Sequence, residues 1–257
     1  MNLKLNPNLD LEQLASAFES NKKLRVDNFL TVESAEIINQ CLSDYTAWHL
    51  VYSNELGLPV RLDNAQLNAL SDNDQQAITE QLHLRASSTY QYIYKFYPII
   101  DAIKSGTITE NSQLYEIATF LNSAVFINFA RRLTGNNSIV KMDPQATLYE
   151  TGHFLNLHDD MGGQRETEGE SVRRFAVVLG FTRNWSSNWG GQTNFFPNVG
   201  SAISESWYPR FNSMTIFQVP ALHSVSMIAP FSPKGRYSIT GWLRDDSSVV
   251  RDDLEEF

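Results

Sequence analysis

Apolar and polar positions change rhythm once along this chain, near Gly135. Before that point the spacing is mostly helical. Leu24–Leu30 alternates as a strand does, and Thr31 or Ser34 can then cap a helix running from Ala35 to about Ser43. Asp72-Asn73-Asp74 opens a second helix that the spacing carries to Tyr94, because Ile78, Leu82, Ala86, Tyr90 and Tyr94 recur at every fourth residue and share one helix face. A third spans about Ser112 to Leu133, and Gly135, after Arg131-Arg132, supplies its C-terminal cap.

Beyond Gly135 the chain breaks into short apolar or alternating runs divided by Gly, Asn and Pro, the grammar of an antiparallel sandwich or barrel. The runs predict strands at Ile139–Lys141, Ala146–Glu150, Phe154–Asp160, Arg174–Thr182, Thr193–Phe196, Ser213–Gln218, Ser224–Met227 and Arg236–Leu243. The helices alternate poorly with these strands, which argues against a parallel βαβ sheet. The expected fold is mainly β with flanking helices: a double-stranded β-helix (jelly-roll, cupin-like) core with an N-terminal helical portion. One domain is expected over 1–257, with 1–135 as helical support, 136–246 as the jelly-roll core and 247–257 as an acidic, frayed tail. Gly162–Arg173, rich in Gly, Gln, Glu and Arg, reads as a loop between two strands.

Composition narrows the choice of partner. The 257 residues are 42% hydrophobic, so wholesale disorder is excluded. Lys and Arg number 20 against 29 Asp and Glu, a formal charge of −9, whose field repels phosphate backbones and anionic membranes. Nucleic acid and membrane are therefore not expected partners, whereas a basic protein would be attracted. Cys41 is the one cysteine, so no intrachain disulfide and no cysteine zinc site can form. With no secretory signal pattern at the N-terminus and no membrane-spanning apolar run, the expectation is a cytoplasmic protein.

Candidate chemistry begins at Asn156-Leu157-His158-Asp159-Asp160. On a strand His158 and Asp160 share a face, and Asn156 shares it with them as a candidate pocket residue. His223, in Leu222-His223-Ser224-Val225, supplies a third ligand. Two imidazoles and a carboxylate form the facial triad of non-haem Fe(II), a set that zinc also accepts. Arg236-Tyr237-Ser238-Ile239-Thr240 then places a guanidinium and two hydroxyls on one strand face, suited to a dicarboxylate that reaches from the metal to a buried cation. His153 has the opposite parity from His158 and is expected to be structural, as are His49, His83 and Cys41.

The order His158-x-Asp160, Gly190-Gly191-Gln192-Thr193-Asn194-Phe195-Phe196-Pro197, His223, Arg236-Tyr237-Ser238-Ile239-Thr240-Gly241-Trp242 resembles the Fe(II)- and 2-oxoglutarate-dependent prolyl hydroxylases. It is most similar to the ribosomal-protein branch and more distantly to the hypoxia-sensing one. The likeness covers roughly Ala146 to Leu243, with a weaker echo in Leu24–Leu42. It implies that His158, Asp160 and His223 bind iron and carry catalysis, and that Arg236 grips the distal carboxylate of 2-oxoglutarate. Tyr149 matches a tyrosine that lines the cosubstrate pocket, and Ser238 and Thr240 would be secondary polar contacts. One departure is Leu179-Gly180-Phe181, where the hypoxia-sensing enzymes have a tyrosine for the cosubstrate; another hydroxyl must take its place beside Arg236, with Tyr149 as a candidate.

The implied cofactors are Fe(II), 2-oxoglutarate and O2, with ascorbate (vitamin C) supportive. The implied reaction is hydroxylation of a prolyl residue in a protein substrate, a ribosomal protein or translation factor, with conversion of 2-oxoglutarate to succinate. Two alternatives stay open: the same chemistry on a free amino acid or small metabolite, and a non-catalytic metal-binding jelly-roll module. The chain is too short for the second jelly roll of eukaryotic ribosomal hydroxylases. A homodimer could substitute for it, and nothing in the sequence shows one.

Overall fold

The protein is described by a computed structural model over residues 2–44, 47–161 and 171–256. Among the described residues, the first 135 hold all seven α-helices: α1 (Leu11–Asn21), α2 (Val32–Asp44), α3 (Asn64–Ala69), α4 (Asp72–Ala86), α5 (Ile99–Lys104), α6 (Gln113–Leu121) and α7 (Ala124–Thr134). They also hold four strands, so this half is not helical support alone: β1 (Lys23–Asp27), β2 (His49–Ser53), β3 (Pro59–Leu62) and β4 (Tyr92–Tyr97). The rest supplies β5 (Lys141–Tyr149), β6 (Phe154–His158), β7 (Val172–Gly180), β8 (Thr193–Phe195), β9 (Glu205–Trp207), β10 (Ser213–Gln218), β11 (His223–Val225) and β12 (Arg236–Asp245).

All pairings between these strands are antiparallel, and the order along the sheet is β1-β10-β7-β12-β5-β4-β6-β11-β8-β9, with β2 and β3 added beside β4. The sheet curls at β4. That strand gives one edge to β2 and divides the other, Lys95–Tyr97 pairing with β5 and Tyr92 and Ile93 with β6. The result is a half-barrel consistent with the expected jelly-roll core. Its convex side carries Val177, Leu179, Ile239 and Leu243, which merge with Phe18, Ile38, Leu121 and Phe126 of the helices into the main core. Each large apolar side chain fully buried there contributes about 1.5–3 kcal/mol, enough to fix the helices to that face. The concave side is left with its polar residues and a cavity of about 580 Å³.

Local chemistry explains where the elements depart from the expected boundaries. The second helix stops at Ala86, eight residues short of Tyr94. Ser71 and Asp74 form its capping box, and at the far end Ser87 Oγ and Thr89 Oγ1 donate to the carbonyls of Leu84 and Arg85 at 2.8 and 3.0 Å. Tyr90, Tyr92 and Tyr94 then follow a period of two, which the fourfold spacing masks. The third helix is two. Ser123 caps α7, and the Asn122 side chain leaves the helix axis to bond both the N–H and the C=O of Met142, each at 2.9 Å. Gly135, at φ +66°, closes α7 as expected.

The two strands expected at Ile139–Lys141 and Ala146–Glu150 are the single β5, which runs through Pro144. Its pairing with β4 ends at Ala146, so the N–H that Pro144 lacks is tolerated on a free edge. Opposite Pro144 lies Gly241, where a Cβ would meet the Asp143 carbonyl oxygen at 2.3 Å. The expected frayed tail is pinned instead: Arg131 donates to the Glu255 carbonyl at 2.7 Å, the Glu255 N–H to Asn128 Oδ1 at 3.1 Å, and Arg251 to the Val140 carbonyl at 2.9 Å. Of the expected loop Gly162–Arg173, residues 162–170 lie outside those described, and Val172 and Arg173 already belong to β7. Among the described residues no helix is long and apolar enough to cross a membrane.

Gly241→Ala is expected to cost about 1–3 kcal/mol, because the added methyl meets backbone and not a movable side chain. Urea unfolding of the two proteins measures the difference; an unchanged midpoint would contradict the close approach of β5 and β12.

Candidate metal centre and cosubstrate pocket

Pairing of β6 with β11 sets His158 directly opposite His223, with ring centroids 4.1 Å apart. The register then shifts: Val225 pairs with Leu155, so three steps on β6 answer two on β11. The extra residue is a bulge, and it turns His158 to the face of Leu155 and away from that of Asn156. This corrects the expectation for Asn156. Its amide points out of the barrel, toward the carbonyls of Ala86 and Thr89 at 3.5 and 3.4 Å. Nor do His158 and Asp160 share a strand face, since β6 ends at His158 and Asp160 adopts the left-handed conformation, φ +65°. A sharp local turn brings its carboxylate back to the imidazoles.

The His158 Nδ1 lies 2.9 Å from the Asn156 carbonyl and the His223 Nδ1 2.8 Å from the Ala221 carbonyl. A carbonyl only accepts, so each Nδ1 carries the proton and each Nε2 keeps its lone pair. Those Nε2 atoms sit 3.2 and 3.6 Å from the two Asp160 carboxylate oxygens, and one ligand atom from each of the three residues lies within 4.8 Å of the others. Ligand bonds of about 2.0–2.2 Å to a divalent ion fit that span. Burial, helped by His158, pulls the His223 imidazole down to about 4. Burial pushes the Asp160 carboxyl up, but close contact with the His158 and His223 rings together outweighs it, leaving it below its ordinary value. A neutral His223 imidazole beside an ionised carboxylate suits a metal.

Arg236 opens β12 opposite Tyr149 and is 5% exposed. Its Nη2 donates to Thr193 Oγ1 at 3.3 Å, while Nη1 is buried with no partner. Among the described residues no carboxylate pairs with it. Two positions along the same face, Ser238 Oγ is likewise buried and unpartnered. A buried guanidinium without an anion is expensive, so this donor set can take an anion from outside the chain. Thr240 lines the cavity and accepts from Gln145 at 3.3 Å.

Tyr149 is also here, but it offers Arg236 its ring face, 5.4 Å from the guanidinium carbon, and stacks on Tyr94 at 5.0 Å and 16°. The hydroxyl that touches Arg236 is Thr193. At Gly180 a Cβ would lie 2.3 Å from the Arg210 carbonyl oxygen, so no side chain fits there.

The cavity is walled further by Tyr90, Tyr92, Tyr94, Gln145, Thr147, Arg173, Thr193 and Trp242. The sequence reading set Trp242 on the core or pocket wall and gave the other seven no role in the site. Period-two reading of Tyr90–Phe96 would have found the tyrosines; nothing local marks Thr147 or Arg173. His153 is buried outside the cavity with Nδ1 accepting the Glu150 N–H at 3.1 Å, the structural role expected of it.

Residues 144–244 match the family model of the 2OG-Fe(II) oxygenase superfamily. The fold is a 2OG-Fe(II) oxygenase fold. Solved structures with this fold include a 2OG-Fe(II) oxygenase family oxidoreductase from Burkholderia pseudomallei (12% identity, 95% of each chain covered, TM-score 0.57). A Pseudomonas putida prolyl-4-hydroxylase aligns over 92% of this chain and 100% of its own at 13% identity and TM-score 0.53. A Trichoplax adhaerens prolyl hydroxylase, in complex with a hypoxia inducible factor oxygen degradation domain peptide fragment, aligns over 93% and 90% at 16% identity and TM-score 0.56. At such identities the likeness carries the fold alone. No curated protein matches the sequence.

Burial pulls the His153 imidazole down to about 4, while in the unfolded chain it titrates near 6.5. Above pH 6.5 it is neutral in both states and leaves stability unchanged; as the pH falls toward 4 only the unfolded chain takes up the proton, so stability falls by roughly 1.4 kcal/mol per pH unit from this group. His153→Gln is expected to flatten the stability–pH curve of the chelator-treated protein between pH 6.5 and 4. An identical curve would show that His153 is not held neutral.

Proposed function

We propose that the protein is an Fe(II)- and 2-oxoglutarate-dependent dioxygenase that hydroxylates a prolyl residue of a protein substrate. The observation that carries this reading is one cavity holding both a His158–Asp160–His223 cluster and a buried guanidinium, Arg236, with no anion of its own. The donor set fits Fe(II), and the unpaired Arg236 Nη1 and Ser238 Oγ fit the distal carboxylate of 2-oxoglutarate. Bound Fe(II), with 2-oxoglutarate as the electron donor to O2, supplies the hydroxylation of a C–H bond, 2-oxoglutarate leaving as succinate and CO2.

The chain's own residues set the geometry. His158, Asp160 and His223 would hold the metal within the cavity, two imidazoles and one carboxylate being too few donors to enclose it. Arg236, with Thr193 and Ser238, anchors the cosubstrate at the floor, where its charge cannot be lost. Tyr94 and Tyr149 pack against that anchor and keep water from it. Tyr90, 44% exposed, and the partly buried Tyr92 continue the same row of rings outward from Tyr94 to the mouth. An uncharged aromatic wall suits an apolar pyrrolidine ring, and prolyl hydroxylases are among the proteins that share the fold. The net charge of −9 favours a basic protein partner, which makes ribosomal proteins and translation factors in the cytoplasm the first substrates to try.

Purified protein with Fe(II), ascorbate and 2-oxoglutarate is expected to form succinate, and proline-containing peptides of ribosomal proteins to gain one oxygen by mass spectrometry. Asp160→Ala should reduce turnover at least about 100-fold, and Arg236→Met should raise KM for 2-oxoglutarate about 10- to 100-fold, the worth of a charge-assisted hydrogen bond. Succinate formed only with a free amino acid would move the reading to a small-molecule hydroxylase. No succinate, even with cell lysate and with metal bound, would leave a metal-binding module.

A further inference from the structure

A second bulge lies across the cavity from the first. Between β12 and β7, Leu243 pairs with Phe175 and the next residue, Arg244, with Arg173, so Arg174 is the extra residue. Arg174 turns to Asp245, its Nε donating to the carboxylate at 2.6 Å. Parity changes there: Phe175, Val177 and Leu179 face the helices, and without the bulge Arg173 would join them. Instead it enters the cavity.

There the Arg173 guanidinium lies 3.7 Å from the centre of the Trp242 ring, and its Nη1 donates to the Asp160 carbonyl at 2.6 Å. Asp143, the other carboxylate nearby, is taken by Arg244 at 3.0 Å. Asp160 has left β6, holds a left-handed backbone that a side chain normally avoids, and is nevertheless the residue whose carboxylate meets both imidazoles. Something must hold that turn, and Arg173 is the side chain that bonds its carbonyl.

We infer that Arg173, clamped flat on Trp242, is a positioning residue that holds Asp160 in its metal-ligating conformation. This rests on the metal reading of the cluster and adds a residue to it that touches neither metal nor cosubstrate. The role needs a planar, permanently charged group that stacks on an indole and donates at its edge at once; a lysine ammonium cannot do both.

The test is Mn(II) binding to the chelator-stripped full-length protein, followed by electron paramagnetic resonance, which requires no turnover. Arg173→Met and Arg173→Lys are each expected to weaken binding about 10- to 100-fold. Trp242→Leu should weaken it in the same direction, and the Arg173→Met/Trp242→Leu pair should be no weaker than Arg173→Met alone, because both act through one contact. Melting temperatures recorded alongside separate this from a general packing role, which would lower stability and leave the Mn(II) affinity of the folded protein unchanged. Should Arg173→Met fail to fold, Arg173→Lys decides. Arginine variants that bind Mn(II) as wild type does would overturn the role of Arg173 alone; a wild type that binds no Mn(II) would overturn the metal reading with it.

Discussion

The site depends on the register of β6 against β11. Antiparallel pairing places His158 opposite His223, and one extra residue on β6 turns His158 inward. Without that residue the imidazole would follow Asn156 to the outer face, where the carbonyls of Ala86 and Thr89 already satisfy the amide. The bulge between β7 and β12 acts in the same way on Arg173. Two local losses of ladder pairing therefore re-aim two side chains toward Asp160, which belongs to neither strand. A regular sheet of this sequence would keep its core and lose its site.

Burial is divided by side of the sheet. On the convex side, apolar residues of β5, β7, β10 and β12 meet the helices, and the polar groups are largely satisfied there: Asn122 on Met142, Asn212 on Leu30, Arg131 on the turn after α7. On the concave side polarity is left unsatisfied on purpose of function. Arg236 Nη1, Ser238 Oγ and Arg173 Nε are buried there without a hydrogen-bond partner among the described residues. Their concentration on one face distinguishes a binding cavity from a packing defect, since scattered orphans would only destabilise the fold.

Electrostatics and shape agree within that cavity. The His223 imidazole is held neutral by burial, the Asp160 carboxylate is ionised by its contacts, and the Arg236 guanidinium has no carboxylate partner among the described residues. The floor therefore asks for an anion and the mouth, lined by tyrosines, for an apolar group. The two ends of the cavity differ in where charge is tolerated.

The residues that the structure gathers into one cavity were legible in the sequence, because metal ligation admits few residue types and His158, Asp160, His223 and Arg236 stand in strands or at strand ends that alternation reveals. The mainly β second half and the helix cap at Gly135 were legible for the same reason: they are local. The extent of the second helix was not, since Tyr90 and Tyr94 fit both a period of four and a period of two, and only pairing with β2, β5 and β6 chose the strand. Nor could the sequence show that Asn156 faces outward, that Thr193 and not Tyr149 gives Arg236 its hydroxyl, or that Arg173 reaches Asp160. Each follows from a bulge or from the approach of two segments distant in the chain. Residue types and local periods determine which chemistry is present; register and curvature of the curled sheet, which are tertiary quantities, decide which side chains share the cavity.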